Sequence, residues 1–363
     1  MRPTGTSRLG LLLALFIFWP FGAAAQEPDV VDTIPSENLM LGRTPFAVQG
    51  FADWNYAAVA PAGEHSSFYN GALDLFITSR LSDRWSVLAE IVLESLSSEF
   101  SADLERLQVT YEQSDALRVS IGRVHSPILR WAVTNHHGQF MQTPVDNPII
   151  ARWEDQPGAW PLHFVGLLAA GRVPGALGLS YAAGVGNGRG PTLDQVQVKN
   201  DANGAKAWVF SVGVAPDSVP GLRLFGSGYL DRIPAPGLEI RERDVTGSVE
   251  YLRGPVELKA EWSLLHHTPE TGDAVWNTRG WYVLASYRLD GALRRLRPYV
   301  LVEAQNVAEG EAYLEGVQDE KAVAGGLRVD VSRWIALKGE FRSQSIGSGS
   351  RDGVVQFQIA ANF

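Results

Sequence analysis

The chain has 363 residues, a formal net charge of −9 and no cysteine. That charge argues against nucleic acid as a partner. The missing cysteine excludes disulfides, thiol chemistry and a lipid-anchored N-terminal cysteine.

In chain order, the first element is a secretory signal over residues 1–25. Arg2 and Arg8 make a positive start, Leu11 to Phe21 an apolar core, and Ala23-Ala24-Ala25 a cleavage site before Gln26. The apolar run is too short to span a bilayer comfortably, and Pro20 interrupts it. Removing it takes 363 residues to 338 and, with two arginines gone, the charge from −9 to −11. Residues 26–43 form a short polar lead, expected on the periplasmic side, and 44–363 read as one unit without a Pro/Ser-rich linker. No later apolar run approaches a transmembrane helix, so a membrane location would require strands, which must close on themselves to satisfy their backbone in lipid.

From residue 44 onward the pattern is alternation. Val256, Leu258, Ala260 and Trp262 alternate with Glu257, Lys259, Glu261 and Ser263. The same period of two runs through 106–111, 323–330 and 335–342, and through the last stretch, where Val355, Phe357, Ile359, Ala361 and Phe363 form one apolar face. Strands are predicted at 45–57, 67–80, 84–95, 103–112, 116–124, 162–171, 177–188, 204–215, 221–231, 240–252, 256–267, 277–289, 296–306, 320–331, 334–345 and 353–363. Pro298 is tolerable only near the start of its strand. Gly, Pro, Asp and Ser punctuate short connections after every second strand, and mostly longer connections follow the others. An even number of strands of about ten residues each, with this asymmetry, predicts an all-β fold: a transmembrane antiparallel up-and-down β-barrel of about 16 strands. A barrel of roughly that strand number encloses an aqueous channel. Trp54, Tyr56, Trp85, Trp208, Trp262, Trp281 and Trp334 fall near strand ends, as interfacial aromatic girdles do.

The final strand, ending on Phe363, resembles the terminal strand of bacterial outer-membrane barrels, which implies recognition by the barrel-assembly machinery. More widely, IGRVHSPILRWAVTNHHGQF (121–140), RWEDQPGAWPLHFVGLLAAG (152–171) and YAAGVGNGRG (181–190) resemble the outer-membrane porins, in particular the phosphate-selective porin O and P family. The C-terminal GLRVDVSRWIALKGEFR (326–342) is a more generic barrel match. The resemblance implies the outer membrane of a Gram-negative bacterium, passive uptake of small hydrophilic solutes with anions as a candidate class, a lipid surround, a homotrimer, no cofactor and no covalent chemistry. It also implies that the third long loop folds into the barrel and narrows it.

That loop is 125–161, the longest connection, and a loop of such length without structure of its own is usually functional. Arg123, His125, Arg130, His136, His137 and Arg152 are expected at or near the constriction, with Asp146, Glu154 and Asp155 as opposing acids. Opposed charges across a narrow passage set up a transverse field that sorts solutes. Alternation assigns Arg106, Arg118, Arg279, Arg328 and Arg342 to the pore lining beside Asp53, Glu90, Glu94, Glu250, Glu257, Glu261 and Glu340, a mixed wall rather than a basic one. A metal site is disfavoured, because His136 and His137 on an extended segment point to opposite faces and no HExxH pattern occurs. The rival reading is an outer-membrane barrel hydrolase using the loop histidines, with Ser126 and Thr134 nearby, although no nucleophile elbow is present.

Overall fold

The computed structural model describes residues 39–41, 44–59, 65–95, 99–135, 138–154, 156 and 158–363. The signal and most of the lead lie outside them. A three-residue strand, β1 (Leu39–Leu41), pairs with the start of β2. The barrel strands are β2 (Thr44–Val59), β3 (Ser67–Arg80), β4 (Trp85–Ser95), β5 (Phe100–Ser114), β6 (Leu117–His125), β7 (His163–Val173), β8 (Leu179–Asn187) and β9 (Lys206–Val214). They continue as β10 (Leu222–Ala235), β11 (Leu238–Arg253), β12 (Val256–Pro269), β13 (Trp276–Tyr287), β14 (Leu296–Asn306), β15 (Glu320–Asp330), β16 (Ile335–Ile346) and β17 (Asp352–Asn362).

Each of these sixteen strands pairs antiparallel with its sequence neighbours, and β17 pairs with β2, so the sheet closes. Phe363 completes the seam: its N–H donates to Gly50 O at 2.9 Å and its carbonyl accepts from Gly50 N at 2.8 Å. Closure leaves no strand edge unpaired, which is what a sheet in lipid requires.

The alternation becomes two faces. On β12, Leu258 and Trp262 are exposed outward while Glu257, Lys259, Glu261 and Ser263 are buried inside; on β11, Val245 and Val249 face out opposite Glu242, Asp244, Thr246, Ser248 and Glu250. Pro298 is the third residue of β14 and points outward. Connections of two to eight residues lie at one end, for example Gly254-Pro255, and the three longest, 126–162, 188–205 and 307–319, all lie at the other. The β10–β11 connection departs from expectation. Residues 232–239 read as a loop because of Pro234, Pro236 and Gly237, yet both strands run on to a two-residue turn at Pro236-Gly237. Gly237 takes φ +73°, a backbone conformation glycine adopts without steric cost.

Candidate functional site

The site is built by the segment between β6 and β7, which leaves the wall and crosses the interior. Gly122 in β6 adopts φ +132°, and a Cβ there would stand 2.0 Å from Leu107 O, so only glycine lets the strand turn at this point. Ser126 N donates to Leu162 O at 2.7 Å and ties the neck of the loop. A short helix, α1 (Arg130–Asn135), follows, then extended chain, then a 3-10 turn over Ile149–Ala151.

A loop inside a barrel must find partners for its backbone, and charged side chains of the opposite wall supply them. Glu261 of β12 accepts from Arg130 N and Trp131 N, at 2.5 and 3.1 Å, at the start of α1. Glu257 accepts the Thr143 hydroxyl at 2.6 Å, Glu340 of β16 accepts Val145 N at 3.3 Å, and Glu303 of β14 accepts Ile149 N at 2.6 Å. Loop carbonyls receive cations in return. Lys338 donates to Gln139 O and Pro144 O, at 2.6 and 2.8 Å, and Arg328 to Phe140 O and Gln142 O, at 2.6 and 2.7 Å. Arg152 forks onto Glu320 of β15 at 2.6 and 2.8 Å, the bidentate geometry that makes such pairs strong.

Beneath these bonds lies an apolar core. Ile128, Leu129, Trp131, Ile150 and Trp160 from the loop pack with Tyr229, Ile233, Ile240, Leu265, Leu284 and Leu301 from β10 to β14, all essentially inaccessible to solvent. Gly280 on β13 makes room: a Cβ there would meet Ile150 at 2.2 Å and Trp160 at 2.7 Å. This side of the lumen is filled. The inner face of β3 to β5 is not covered to the same degree: Thr78 there is exposed, and Leu88, Gln108 and Thr110 are half-buried. The passage is therefore eccentric and runs along β2–β6.

Two other long-side connections fold over the filled half. The Tyr313 hydroxyl donates to Gly190 O at 3.1 Å, and the Arg189 guanidinium lies 4.9 Å from the Tyr313 ring while its Nη1 sits 3.3 Å from Glu242. Burial pushes the Tyr313 phenol up to about 12. His267 stands between Glu242 and Glu311, at 3.2 and 3.1 Å.

The residues expected at the constriction separate into groups. Arg123 faces Glu105 at 3.3 Å and Asp103 at 3.6 Å. His125 lies 3.8 Å from Glu90, which also pairs with Arg106, and packs against His163 with ring centroids 5.2 Å apart. Glu154 meets His163 Nδ1 at 3.2 Å and accepts the N–H groups of Leu162 and His163. Burial opposes ionisation of Glu154, but the His163 charge and these hydrogen bonds outweigh it and hold the carboxyl below its ordinary range. Arg123, Glu105, Glu154, Asp103, Trp153 and Asp194 line one recess. Arg130 lies apart, over the Phe225 ring at 4.2 Å and 3.4 Å from Glu250, and Arg152 is committed to Glu320. His136, His137 and Asp155 lie outside the described residues. Among the described residues, no group of three or more His, Cys, Asp or Glu side chains is arranged to hold a metal ion. The Thr134 hydroxyl donates to Arg130 O within α1.

The wall residues also divide. Glu90, Glu250, Glu261, Arg328, Glu340 and Arg342 are on the inner face but at most 7% exposed, covered by the loop or by ion pairs such as Arg342 with Glu303 at 2.5 Å. Arg106 stays partly accessible beside the passage, and Arg118 is exposed near the short-turn end on the Ser120 side of β6. Arg279 is a correction. It shares a face of β13 with Trp281 and Val283, both exposed to the outside, while Thr278, Gly280 and Tyr282 point in, so Arg279 lines no pore. Sequence reasoning overlooked Glu303, Glu320, Lys338 and Arg189. For Glu303 the signal was present, since it shares the inner face of RPYVLVE with Tyr299 and Leu301.

No family model and no curated protein matches the sequence. Solved structures do match the fold. An outer-membrane protein of Vibrio cholerae, OmpT with loop L8 deleted, aligns at TM-score 0.63 and 10% identity over 89% of this chain and all of its own. OmpF of Salmonella typhi, in complex with daunomycin, gives 0.60 and 11% over 88% of this chain and 98% of its own. The outer membrane channel DcaP of Acinetobacter baumannii gives 0.60 and 12% over 88% and 97%. The chain has the closed sixteen-strand β-barrel fold of these outer-membrane proteins. The identities carry no finer assignment.

Proposed function

We propose that the protein is a passive channel for small hydrophilic solutes across the outer membrane, and that it favours cations over anions. The observation that carries the reading is the eccentric passage: a sixteen-strand barrel whose loop fills the β10–β14 side and leaves Thr78, Gln108, Thr110 and Arg118, on the inner face of β3 to β6, partly or fully accessible. A barrel of roughly this strand number has room for water beside such a loop.

The charge along the passage supports the cation preference. Arg106 is matched by Glu90, and Arg123 by Glu105 and Asp103. Asp146 on the loop lies within electrostatic reach of Asp53 and Glu340, and the bases within its reach are engaged elsewhere, Lys338 with loop carbonyls and Arg342 with Glu303. With both arginines matched, Asp146 adds a further, half-buried carboxylate on this side, and in a weakly screened passage such a surplus concentrates cations.

The test is purified protein in planar bilayers under a salt gradient. Discrete conductance steps with a reversal potential of cation-selective sign are expected. A membrane that stays silent refutes the channel, and an anion-selective reversal refutes the preference.

A further inference from the structure

The outer face of the barrel carries a patch that the channel does not use. Outward strand positions near the long-loop end hold Lys206, Arg232, Arg241, Arg243, Arg279 and Lys321, on β9, β10, β11, β13 and β15. All six are exposed. Among the described residues, the only acid on the outward positions of these strands is Glu239, in a chain whose net charge is −9. Arg232 and Arg241 share Glu270, each at 3.6 Å, and Lys206 is paired with Asp201. Arg243, Arg279 and Lys321 have no ion-pair or hydrogen-bond partner among the described residues.

The height of the patch follows from the residues beneath it. Down β13 from the loop end, the outward side chains are Asn277, Arg279, Trp281 and Val283; down β11 they are Arg241, Arg243, Val245 and Val249; down β15 they are Lys321, Val323 and Leu327. Cations sit above an aromatic and aliphatic belt, as they must at the boundary between headgroups and acyl chains, where a charge costs little. The pairing register makes the patch continuous. Arg243 is opposite His266, His266 opposite Asn277, and Arg279 is the next outward residue on that strand. Arg243 and Arg279 are thus two strands and two residues apart, about 12 Å.

We propose that this patch binds the phosphate groups of a glycolipid in the outer leaflet. Two unpartnered guanidiniums on a rigid sheet are suited to phosphate, which each can grip with two parallel N–H donors. A disaccharide headgroup phosphorylated at both ends can address both at once. The inference rests on the barrel's orientation, with long loops outward, and not on the solute it passes.

The probe is diphosphoryl lipid A titrated into detergent-purified protein, with bound lipid counted by native mass spectrometry. Wild type is expected to bind it, the Arg243→Ala/Arg279→Ala pair to bind at least tenfold more weakly, and Arg253→Ala, at the opposite rim, to match wild type. Fully dephosphorylated lipid A and phosphatidylglycerol are expected to bind wild type at least tenfold more weakly than the diphosphoryl form. Equal affinity of the double variant, an equal loss in Arg253→Ala, or equal binding of either control lipid overturns the proposal. The dephosphorylated comparison uses wild type alone and does not depend on how a variant folds. Unchanged single-channel conductance in the double variant separates a failure here from a failure of the channel reading.

Discussion

Removing the Glu261 carboxylate tests whether the interior loop is held by wall acids. In Glu261→Ala, the N–H groups of Arg130 and Trp131 lose their acceptor at a place where Trp131 is 1% exposed and water has little access. A hydrogen bond to a charged group contributes about 1.5–3 kcal/mol, and an orphaned buried donor costs a comparable amount. Two such bonds give roughly 3–6 kcal/mol, and at about 1.4 kcal/mol per tenfold this raises the undocked population of α1 by about 10²–10⁴. The Trp131 contacts with the core and the Nε1 bond to Asn147 at 3.0 Å remain, so the loop is expected to open transiently rather than unfold. Single-channel recordings should show brief excursions above the main conductance level that wild type lacks. Glu261→Gln keeps one acceptor oxygen and should lie between the two. If current noise and open level in Glu261→Ala match wild type, the carboxylate does not anchor the loop and the reasoning fails.

Three further outcomes follow from the same geometry. Glu154 is held below its ordinary value of 4.5, so its contribution to loop stability is present above that pH and is lost as pH falls through the lowered folded value; the thermal-stability gap between wild type and Glu154→Gln should close on acidification below 4.5, and a gap constant from neutral to strongly acid pH would contradict this. Gly122→Ala places a Cβ 2.0 Å from Leu107 O at φ +132°, a strain of about 1–3 kcal/mol before the clash is counted; the fraction migrating as folded barrel on unheated gels should drop, and an unchanged fraction would show that β6 needs no glycine there. Asp146→Asn removes a half-buried acid beside the passage, and the cation-to-anion permeability ratio should move toward unity; a ratio equal to wild type would take Asp146 out of the passage.

The barrel was legible because lipid enforces it. Leu258, Trp262, Phe357 and Ile359 face out because an apolar surround favours apolar side chains on that face, and sixteen strands emerge from alternation together with the turn residues between the strands. The length of the connection after β6 likewise marked it as unusual. What alternation reports, however, is the face of a side chain and not what covers it. Glu261, Glu340, Arg328 and Arg342 were rightly turned inward, but whether a lumen-facing carboxylate meets water or a backbone N–H depends on where a loop more than a hundred residues away comes to rest. Arg279 failed for a different reason. Trp276 and Trp281 are five apart and cannot share a face; Trp276 packs inward and Trp281 outward, and Arg279 goes with Trp281. Its charge suggested the lumen, yet at the rim of the membrane the outer face is polar too.

This bears on how charge inside such a barrel should be interpreted. The inner wall from β11 to β16 carries Glu250, Glu257, Glu261, Glu303, Glu320 and Glu340, and an acidic lumen would be the direct reading. In the structure these carboxylates accept from loop N–H groups, from Thr143, or from arginines that are themselves engaged, and they are almost fully covered. They belong to the loop's anchorage and are shielded from solvent. Charges able to act on a passing ion are the few that stay accessible on the β2–β6 side, with Arg106 and Arg123 already matched by acids there. Selectivity should then respond to Asp146 and be largely indifferent to Glu303 as long as the loop stays docked. A Glu303→Gln variant with wild-type conductance but altered reversal potential would show instead that the covered wall still sets the field.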